Sequence, residues 1–102
     1  MRIIARKTLV NYWEHAPEAE QGLAAWYAEA KAASWSSPAD VKAKYGSASI
    51  LKGGRVVFNI SGNKYRLVVS INYEISLVFI CFVGTHKEYD KIDAETVRWN
   101  RD

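Results

Sequence analysis

The sequence is poor in cysteine and proline and contains no long apolar run. Of its 102 residues, one is cysteine and two are proline. Because Cys81 has no partner for an intramolecular disulfide, a disulfide framework is excluded, and we expect a buried, unreactive thiol in a reducing compartment. A membrane-spanning helix needs roughly 20 apolar residues, whereas the longest apolar run, residues 77–83, has the length of a buried strand. The first residues lack the apolar core of a signal peptide, so we expect a cytoplasmic protein with no membrane partner.

Several catalytic signatures are also missing. The chain has no Cys/His metal-binding pattern, no phosphate-binding P-loop, no dinucleotide-binding glycine pattern and no G-x-S-x-G nucleophile motif. These absences remove the common metal, nucleotide and serine-hydrolase chemistries from consideration. The tryptophans add little, because Trp13 and Trp26 lie on predicted helix stripes, and Trp99 is only a better candidate than these for an exposed stacking residue.

Acidic residues are absent from a long central stretch, although the whole chain carries a net charge of only +3. Residues 41–73 contain no Asp or Glu. Such a polarised chain indicates a polyanionic partner, with nucleic acid as the first candidate. On charge alone, a solvated basic surface that binds nothing is an equal alternative. The basic residues of this stretch are Lys42, Lys44, Lys52, Arg55, Lys64 and Arg66.

The first half of the chain has helical periodicity. After a short strand at residues 2–4, apolar residues recur at helical spacing in residues 9–16 and again in residues 23–33. Pro17 and the acidic residues behind it suit the first turn of the second helix. The pattern at residues 37–40 resembles a capping box and predicts a short third helix.

The second half has the pattern of β-strands joined by glycine-containing turns. Residues 55–60 and 65–71 alternate, and residues 62–63 are a two-residue hairpin signal. With those two residues at the centre of the turn, every apolar residue of one strand faces an apolar residue of the other. Residues 77–83 are apolar on both faces, as expected for an internal strand. Helices followed by a mainly antiparallel sheet predict a single α+β domain over residues 1–102, with the helices on one face of the sheet.

The same register places polar side chains on the opposite face of the hairpin. Asn59 and Arg66 face each other there, with Arg55 farther along the same face. Because facing Cβ atoms lie about 5 Å apart, these residues are predicted to form one compact patch. No acidic residue lies near Arg66 in the sequence, which favours anion binding, although Glu74 or Asp90 could still pair with it through the fold.

The segment after the last predicted strand carries further candidates. Thr85 and Glu88 have the spacing of a capping box, which predicts the start of a short helix. His86 then lies in the first turn, where free backbone N–H groups attract a phosphate. Lys87 adds a mobile charge, and Tyr89 offers a ring and a hydroxyl. The alternative interpretation is a surface turn with an exposed histidine.

Two hexapeptides resemble the HigB family of toxins, within the RelE superfamily. They are GNKYRL at residues 62–67 and THKEYD at residues 85–90, and the resemblance extends over nearly the whole chain, including residues 37–42, 48–51 and 56–60. It implies a RelE-like fold, in which an N-terminal helical hairpin packs on a small, mainly antiparallel β-sheet that is followed by a short C-terminal helix. It also implies the toxin of a type II toxin–antitoxin system, an endoribonuclease (mRNA interferase) that cleaves translated messages and inhibits translation.

The resemblance implies partners as well. The substrate would be mRNA on the ribosome, and a HigA-like helix-turn-helix antitoxin would neutralise the toxin. Operator DNA would be contacted only through that antitoxin, and no metal or organic cofactor would be used. The sequence leaves open whether the antitoxin covers the helical hairpin or the basic face.

In the chemistry that the family implies, an RNA 2′-hydroxyl attacks the adjacent phosphate and leaves a 2′,3′-cyclic phosphate and a 5′-hydroxyl. Arg66 and Lys64 would hold the phosphate and stabilise its growing charge. His86 would act as general base or acid, Tyr89 would stack on a base or help proton transfer, and Asp90 would orient a neighbour. The residues expected to bind RNA are Lys42, Lys44, Lys52, Arg55, Asn59, Asn63 and Lys87.

Two interpretations without cleavage remain open at this point. A binding module that occupies RNA or the ribosome would share the basic face and differ only in its acid–base groups. A regulatory partner would use the same face to dock an acidic segment of a DNA-binding antitoxin.

Overall fold

The computed structural model describes residues 1–98 and has the predicted α+β architecture. Trp99, the candidate stacking residue, lies outside the described residues. Short 3₁₀ turns precede α2 and β3, at Pro17–Ala19 and Lys52–Gly54. The elements in chain order are β1 (Arg2–Ile4), α1 (Arg6–His15), α2 (Glu20–Ala32), α3 (Pro38–Lys44), β2 (Ser49–Ile50), β3 (Arg55–Ile60), β4 (Tyr65–Asn72), β5 (Leu77–Thr85) and α4 (His86–Tyr89).

The five strands form one sheet in the order β1-β5-β4-β3-β2. β1 pairs with β5 in parallel, and every other pair is antiparallel. The predicted hairpin register is confirmed, because Phe58 faces Leu67 and Asn59 faces Arg66. The predicted turn is confirmed as well, since the N–H of Lys64 donates to Ser61 O at 3.4 Å across residues 62–63, and Ser61 and Gly62 have positive φ of 54° and 71°.

One face of the sheet packs against the helices and forms the main core. Leu23 and Trp26 of α2 are buried against this face together with Leu9 of α1. The Trp26 and Phe58 rings lie 5.3 Å apart between centroids. Burying such a side chain stabilises the fold by about 1.5–3 kcal/mol, so this layer fixes the orientation of β3 and β4.

The third helix was correctly predicted, but its N-terminal cap was not. Ser37 makes no side-chain capping bond. Instead, the Asp40 carboxylate accepts a hydrogen bond from the backbone N–H of Ser36, at 2.8 Å. Of the two hydrogen bonds of a capping box, only the one to the Asp40 carboxylate forms, and its donor is the N–H of Ser36 instead of that of Ser37.

The opposite face of the sheet is largely covered as well. Val57, Val68 and Cys81 point to this side and form a second buried cluster with Ala94, which follows α4. Cys81 is buried, as predicted, and burial raises the pKa of its thiol. Partly buried residues around this cluster are Leu51, Phe79, Phe82, Tyr89, Ile92 and Val97.

Among the helices of residues 1–98, none has the length and apolar character required to cross a membrane.

Candidate active site

The β3–β4 turn and α4 meet at one end of the sheet. β5 pairs with β4 as far as Thr85, which faces Tyr65, so α4 begins beside the start of β4. The backbone N–H of His86 donates to the carbonyl oxygen of Lys64, at 3.2 Å. The hexapeptides at residues 62–67 and 85–90, which are separate in the sequence, are therefore adjacent in the fold.

Arg66 lies half-buried on the face of the sheet away from the helices. Its Nη1 donates to the backbone carbonyls of Asn63, at 3.2 Å, and Tyr65, at 3.4 Å. Within residues 1–98 no carboxylate lies within salt-bridge distance of Arg66, and neither Glu74 nor Asp90 pairs with it. Because its charge has no counter-ion in this part of the chain, the guanidinium can receive an anion.

The His86 and Asp90 side chains lie in contact on the exposed side of α4. His86 Nδ1 lies 3.3 Å from Asp90 Oδ2, and the two side chains are 54% and 60% exposed. When the proton is on Nδ1, it is donated to Asp90, and Nε2 is left free to accept a proton from outside. The pair can therefore supply an oriented acid–base group to a bound molecule.

The predicted capping box at the start of α4 is confirmed. Thr85 Oγ1 accepts from the Glu88 N–H at 3.1 Å, and Glu88 Oε1 accepts from the Thr85 N–H at 2.7 Å. The expectation of free first-turn N–H groups is wrong for His86 and Glu88, because Lys64 and Thr85 already accept from them. A phosphate at this site must therefore be held mainly by side chains.

Gly84 faces Arg66 across the β4–β5 pair and makes room for this arrangement. A Cβ atom at residue 84 would lie 2.7 Å from Phe82 Cζ and 2.9 Å from Glu88 Oε1. Such contacts are far shorter than van der Waals separations. The absence of a side chain at residue 84 is therefore what allows the Glu88 carboxylate to close the capping box.

Tyr12 contacts the site from the helical layer and was missed by the sequence reasoning. Its hydroxyl donates to Glu88 Oε1 at 3.4 Å, and its ring packs edge-on against Tyr65. Burial and the neighbouring Glu88 raise the pKa of Tyr12 to about 12, so it stays a proton donor at neutral pH. In the sequence it was one more apolar position on a helix stripe, and no local pattern linked it to residue 88.

Two of the predicted RNA-binding cations are engaged by main-chain oxygens. Lys42 Nζ donates to the carbonyls of Gly46, at 2.7 Å, and Ala48, at 2.8 Å. Arg55 Nη1 donates to the carbonyls of two residues after α4. Both side chains thus hold loops in place.

The predicted compact patch from Arg55 to Arg66 is wrong. Val57 and Val68 lie on the sheet face between these arginines, and both are buried in the cluster with Ala94. The chain after α4 covers this part of the face, so the two arginines are separated by apolar packing.

Of the remaining predicted site residues, two lysines lie away from the α4 end of the sheet and the others lie at it. Lys44 lines an open cleft with Glu29 and Trp35 on the helical layer, and Lys52 is exposed at the opposite end of β3 from the turn. Tyr89, half-buried, packs its ring against the second apolar cluster. The residues gathered at the α4 end are Asn59, Asn63, Lys64, Arg66, His86, Lys87, Tyr89 and Asp90.

Comparison with known proteins gives a consistent family. A family model described as HigB_toxin, the RelE-like toxic component of a toxin–antitoxin system, matches residues 19–92. The chain belongs to the HigB toxin family. It is 32% identical over 96 residues to the mRNA interferase toxin HigB of Escherichia coli strain K12, and the match covers 92% of each chain. The same values hold for the mRNA interferase HigB of Escherichia coli O157:H7 and of Shigella flexneri.

The segment that matches the HigB family model contains the whole α4 end of the sheet. It spans the β3–β4 turn, Arg66 and the His86–Asp90 pair, whereas Tyr12 and Ala94 lie outside it. Within residues 1–98 of this HigB-family toxin, no three His, Cys, Asp or Glu side chains are arranged to hold a metal ion. The functional groups that the structure gathers at the α4 end include one guanidinium, two lysines, an imidazole, a phenol and a carboxylate.

Proposed function

We propose that this toxin is an endoribonuclease that cleaves mRNA at the site formed by the β3–β4 turn and α4. The observation that carries the proposal is the Arg66 guanidinium, which has no carboxylate partner within residues 1–98 and shares one end of the sheet with the His86–Asp90 pair. An anion site beside an oriented acid–base group is what phosphodiester cleavage requires. The relatives in Escherichia coli and Shigella flexneri carry the name mRNA interferase, which supports the same activity.

In the proposed reaction the 2′-oxygen of RNA bonds to the adjacent phosphorus, and the bond from phosphorus to the 5′-oxygen breaks. The proton of the 2′-hydroxyl passes to Nε2 of His86, while Asp90 holds Nδ1. Arg66 and Lys64 offset the charge that grows on the phosphate oxygens, and the 5′-oxygen leaves with a proton from the acid form of His86 or from Tyr89. Two side-chain cations at the phosphate make a metal ion unnecessary in this mechanism.

RNA binding around this centre is assigned to the polar side chains that share the α4 end. Asn59 faces Arg66 across the hairpin, and Asn63 and Lys87 are exposed beside it. Lys42, Lys44, Lys52 and Arg55 do not reach this end of the sheet. Their contribution to binding is at most the long-range attraction of their charge, which salt screens within about 10 Å.

The substrate is proposed to be mRNA on the ribosome, in the cytoplasm. His86 and Asp90 are more than half exposed, so this site encloses little of an RNA strand by itself. Positioning by a surrounding structure can supply about 7–11 kcal/mol towards a reaction barrier. A ribosome that already holds the message in an extended conformation would provide that positioning.

The proposed antitoxin is a helix-turn-helix protein that binds this toxin and carries the complex to operator DNA. The family supports the existence of an antitoxin, since its members are toxic components of toxin–antitoxin systems. The acid-free stretch of residues 41–73 favours an antitoxin with an acidic contacting segment.

The decisive experiment compares three proteins in a translating extract: the wild type, Arg66→Ala and Lys7→Ala. Lys7 is exposed near the start of α1 and serves as a control for the loss of one positive charge. Primer extension should give discrete new 5′ ends with the wild type and Lys7→Ala. With Arg66→Ala, cleavage should fall by roughly 10²–10³, as when a donor to a developing anion is removed. Stalled but intact messages with the wild type would refute cleavage and favour the RNA-binding module.

A further inference from the structure

Arg55, the first residue of β3, holds the chain that follows α4. One nitrogen, Nη1, donates to the carbonyl oxygens of both Ala94, at 3.1 Å, and Val97, at 2.5 Å. The side chain is half-buried, and hydrogen bonds from a charged donor are about twice as strong as neutral ones. Arg55 is thus a clamp between the sheet and a segment about 40 residues later in the chain.

The clamped segment, residues 90–97, consists of successive hydrogen-bonded turns. The N–H of Ile92 donates to Tyr89 O at 3.2 Å, and the N–H of Val97 donates to Asp93 O at 2.8 Å. It belongs to no strand, so the sheet's own hydrogen bonds do not fix it. It is attached to the sheet by apolar packing of Ala94, which is 8% exposed, and of the partly buried Ile92 and Val97, and by the polar contacts of the Arg55 clamp.

α4 depends on what holds its two ends. It has a single turn, and a helix this short is not stable by itself in water. Its first residue is fixed by the bond from His86 N–H to Lys64 O. Its other end runs directly into Asp90 and the clamped segment. The place of the Asp90 carboxylate, and with it the orientation of the His86 ring, therefore depends on the bond from the Asp90 N–H to His86 O, at 3.0 Å, and on where the residues up to 97 lie.

We propose that Arg55 is a positioning residue for the cleavage site: by clamping residues 94–97 to the sheet, it holds the His86–Asp90 pair in its working geometry. Its effect on cleavage rests on the proposed function. Its effect on the segment does not, because the clamp exists in the toxin without RNA. This role differs from direct RNA binding, the role expected for Arg55 from the sequence, and the two roles have different kinetic consequences.

The test compares Arg55→Met and Arg55→Lys with the wild type on ribosomes programmed with mRNA, with toxin in excess and varied. For Arg55→Met we expect the maximal cleavage rate to fall by about tenfold or more, since displacing a catalytic group by 1 Å can cost ~10² in rate. The half-saturating toxin concentration should stay within about twofold, because RNA affinity is not lost. Arg55→Lys should recover much of the rate, because both clamping bonds come from one nitrogen and an ammonium can make both.

A second measurement needs no RNA. Hydrogen–deuterium exchange should show faster exchange at the amides of Ile92 and Val97 in Arg55→Met, with the strand amides unchanged and the His86 ring signals shifted in NMR spectra. The control is Ile71→Val, which removes a buried methyl group close to Arg55 in the sheet but on the face that packs against the helices, and it should change neither the segment nor the maximal rate.

The outcomes separate the two roles of Arg55. Unchanged exchange at Ile92 and Val97, or a raised half-saturating concentration with an unchanged maximal rate, overturns the proposal; the latter makes Arg55 an RNA ligand. If Arg55→Met does not fold, Ala94→Gly loosens the same attachment and should give the same pattern. If the wild type does not cleave mRNA, the proposed function fails, while the exchange data still decide whether Arg55 holds the segment.

Discussion

The Nδ1 atom of His86 lies 3.3 Å from Oδ2 of Asp90, one helical turn farther along the chain. Both side chains are more than half exposed, and exposed pairs at this spacing contribute only about 0.3–0.5 kcal/mol to stability. The contact matters more for orientation, because a ring that donates from Nδ1 presents Nε2 to the solvent side of the site. A pair that contributes little to folding and much to geometry can be altered without unfolding the protein.

Asp90→Ala should therefore lower the maximal rate of mRNA cleavage by about tenfold, because loss of an orienting partner removes part of the general acid–base contribution of ~10²–10⁴. The melting temperature should change little. Asp90→Asn is the matched variant, since its amide oxygen can still accept from Nδ1, and it should retain more activity than alanine. Cleavage rates and thermal melts of the two variants check this, and equal activity of Asp90→Ala and wild type would contradict the role of the pair.

The basic residues should separate into RNA-binding and structural groups. Lys64→Ala should weaken RNA binding and reduce the slope of log affinity against log salt by about 0.7, the value for one single-strand phosphate contact. Lys44→Ala, which removes a cation on the helical layer, should leave that slope unchanged. Filter binding at several salt concentrations checks both, and equal slopes for the two variants would contradict the assignment.

Lys42 should affect stability rather than RNA binding. Its ammonium holds the carbonyls of Gly46 and Ala48, which set the path of the chain into β2. Loss of these two bonds in Lys42→Met should cost about 1–3 kcal/mol, since an intramolecular hydrogen bond typically contributes about 0.5–1.5 kcal/mol net. Urea denaturation measures this cost, and an unchanged midpoint together with weaker RNA binding would return Lys42 to the RNA-binding group.

Gly84→Ala should disturb the start of α4. A Cβ atom there would approach Phe82 and the Glu88 carboxylate to less than 3 Å, so one of them must move. Overpacking of this kind costs typically about 1–3 kcal/mol. Denaturation measures that cost. The Thr85 and Glu88 amides should lose their protection from hydrogen exchange, and part of the cleavage activity should be lost with it. Gly46→Ala is the control, because a Cβ at residue 46 meets nothing within 4 Å.

Stability at alkaline pH should depend on Tyr12. The pKa of this phenol is raised from its ordinary value of 10 to about 12, first by burial and then by Glu88. Because the unfolded chain releases the proton near pH 10 and the folded chain retains it, the contribution is present below pH 10 and is lost as pH rises towards about 12. Tyr12→Phe cannot ionise, so its stability should fall less steeply over this window in urea titrations. Parallel curves for the two proteins would contradict the link.

The local part of this structure was predictable from the sequence because it obeys short-range rules. Strand alternation has a period of two, so the turn at residues 62–63 was enough to place Asn59 opposite Arg66. The capping box of Thr85 and Glu88 spans three residues and formed as predicted. The turn formed at residues 62–63, and the positive φ of Ser61 beside it has no signature in the sequence.

The covering of the second sheet face was not predictable by the same rules. Arg55 donates to the backbone carbonyl of Val97. Every residue has such a carbonyl, so the sequence does not indicate which one an arginine will contact. Tyr12 and Glu88 are 76 residues apart and meet only because α1 packs over the end of β5. Val57 and Val68 did signal an apolar second face, but residues 90–97 have no periodicity that would identify them as its cover.

The parallel pairing of β1 with β5 joins the first strand of the chain to the last. Arg2 faces Leu77, so about 75 residues of chain must be synthesised before the first strand finds its neighbour, and α4 follows only after that. Contacts this distant in sequence form late and slowly. A nascent chain that has not yet released β5 from the ribosomal exit tunnel therefore has neither a complete sheet nor α4, and the end of the sheet where residues 62–67 and 85–90 meet assembles only after both have emerged.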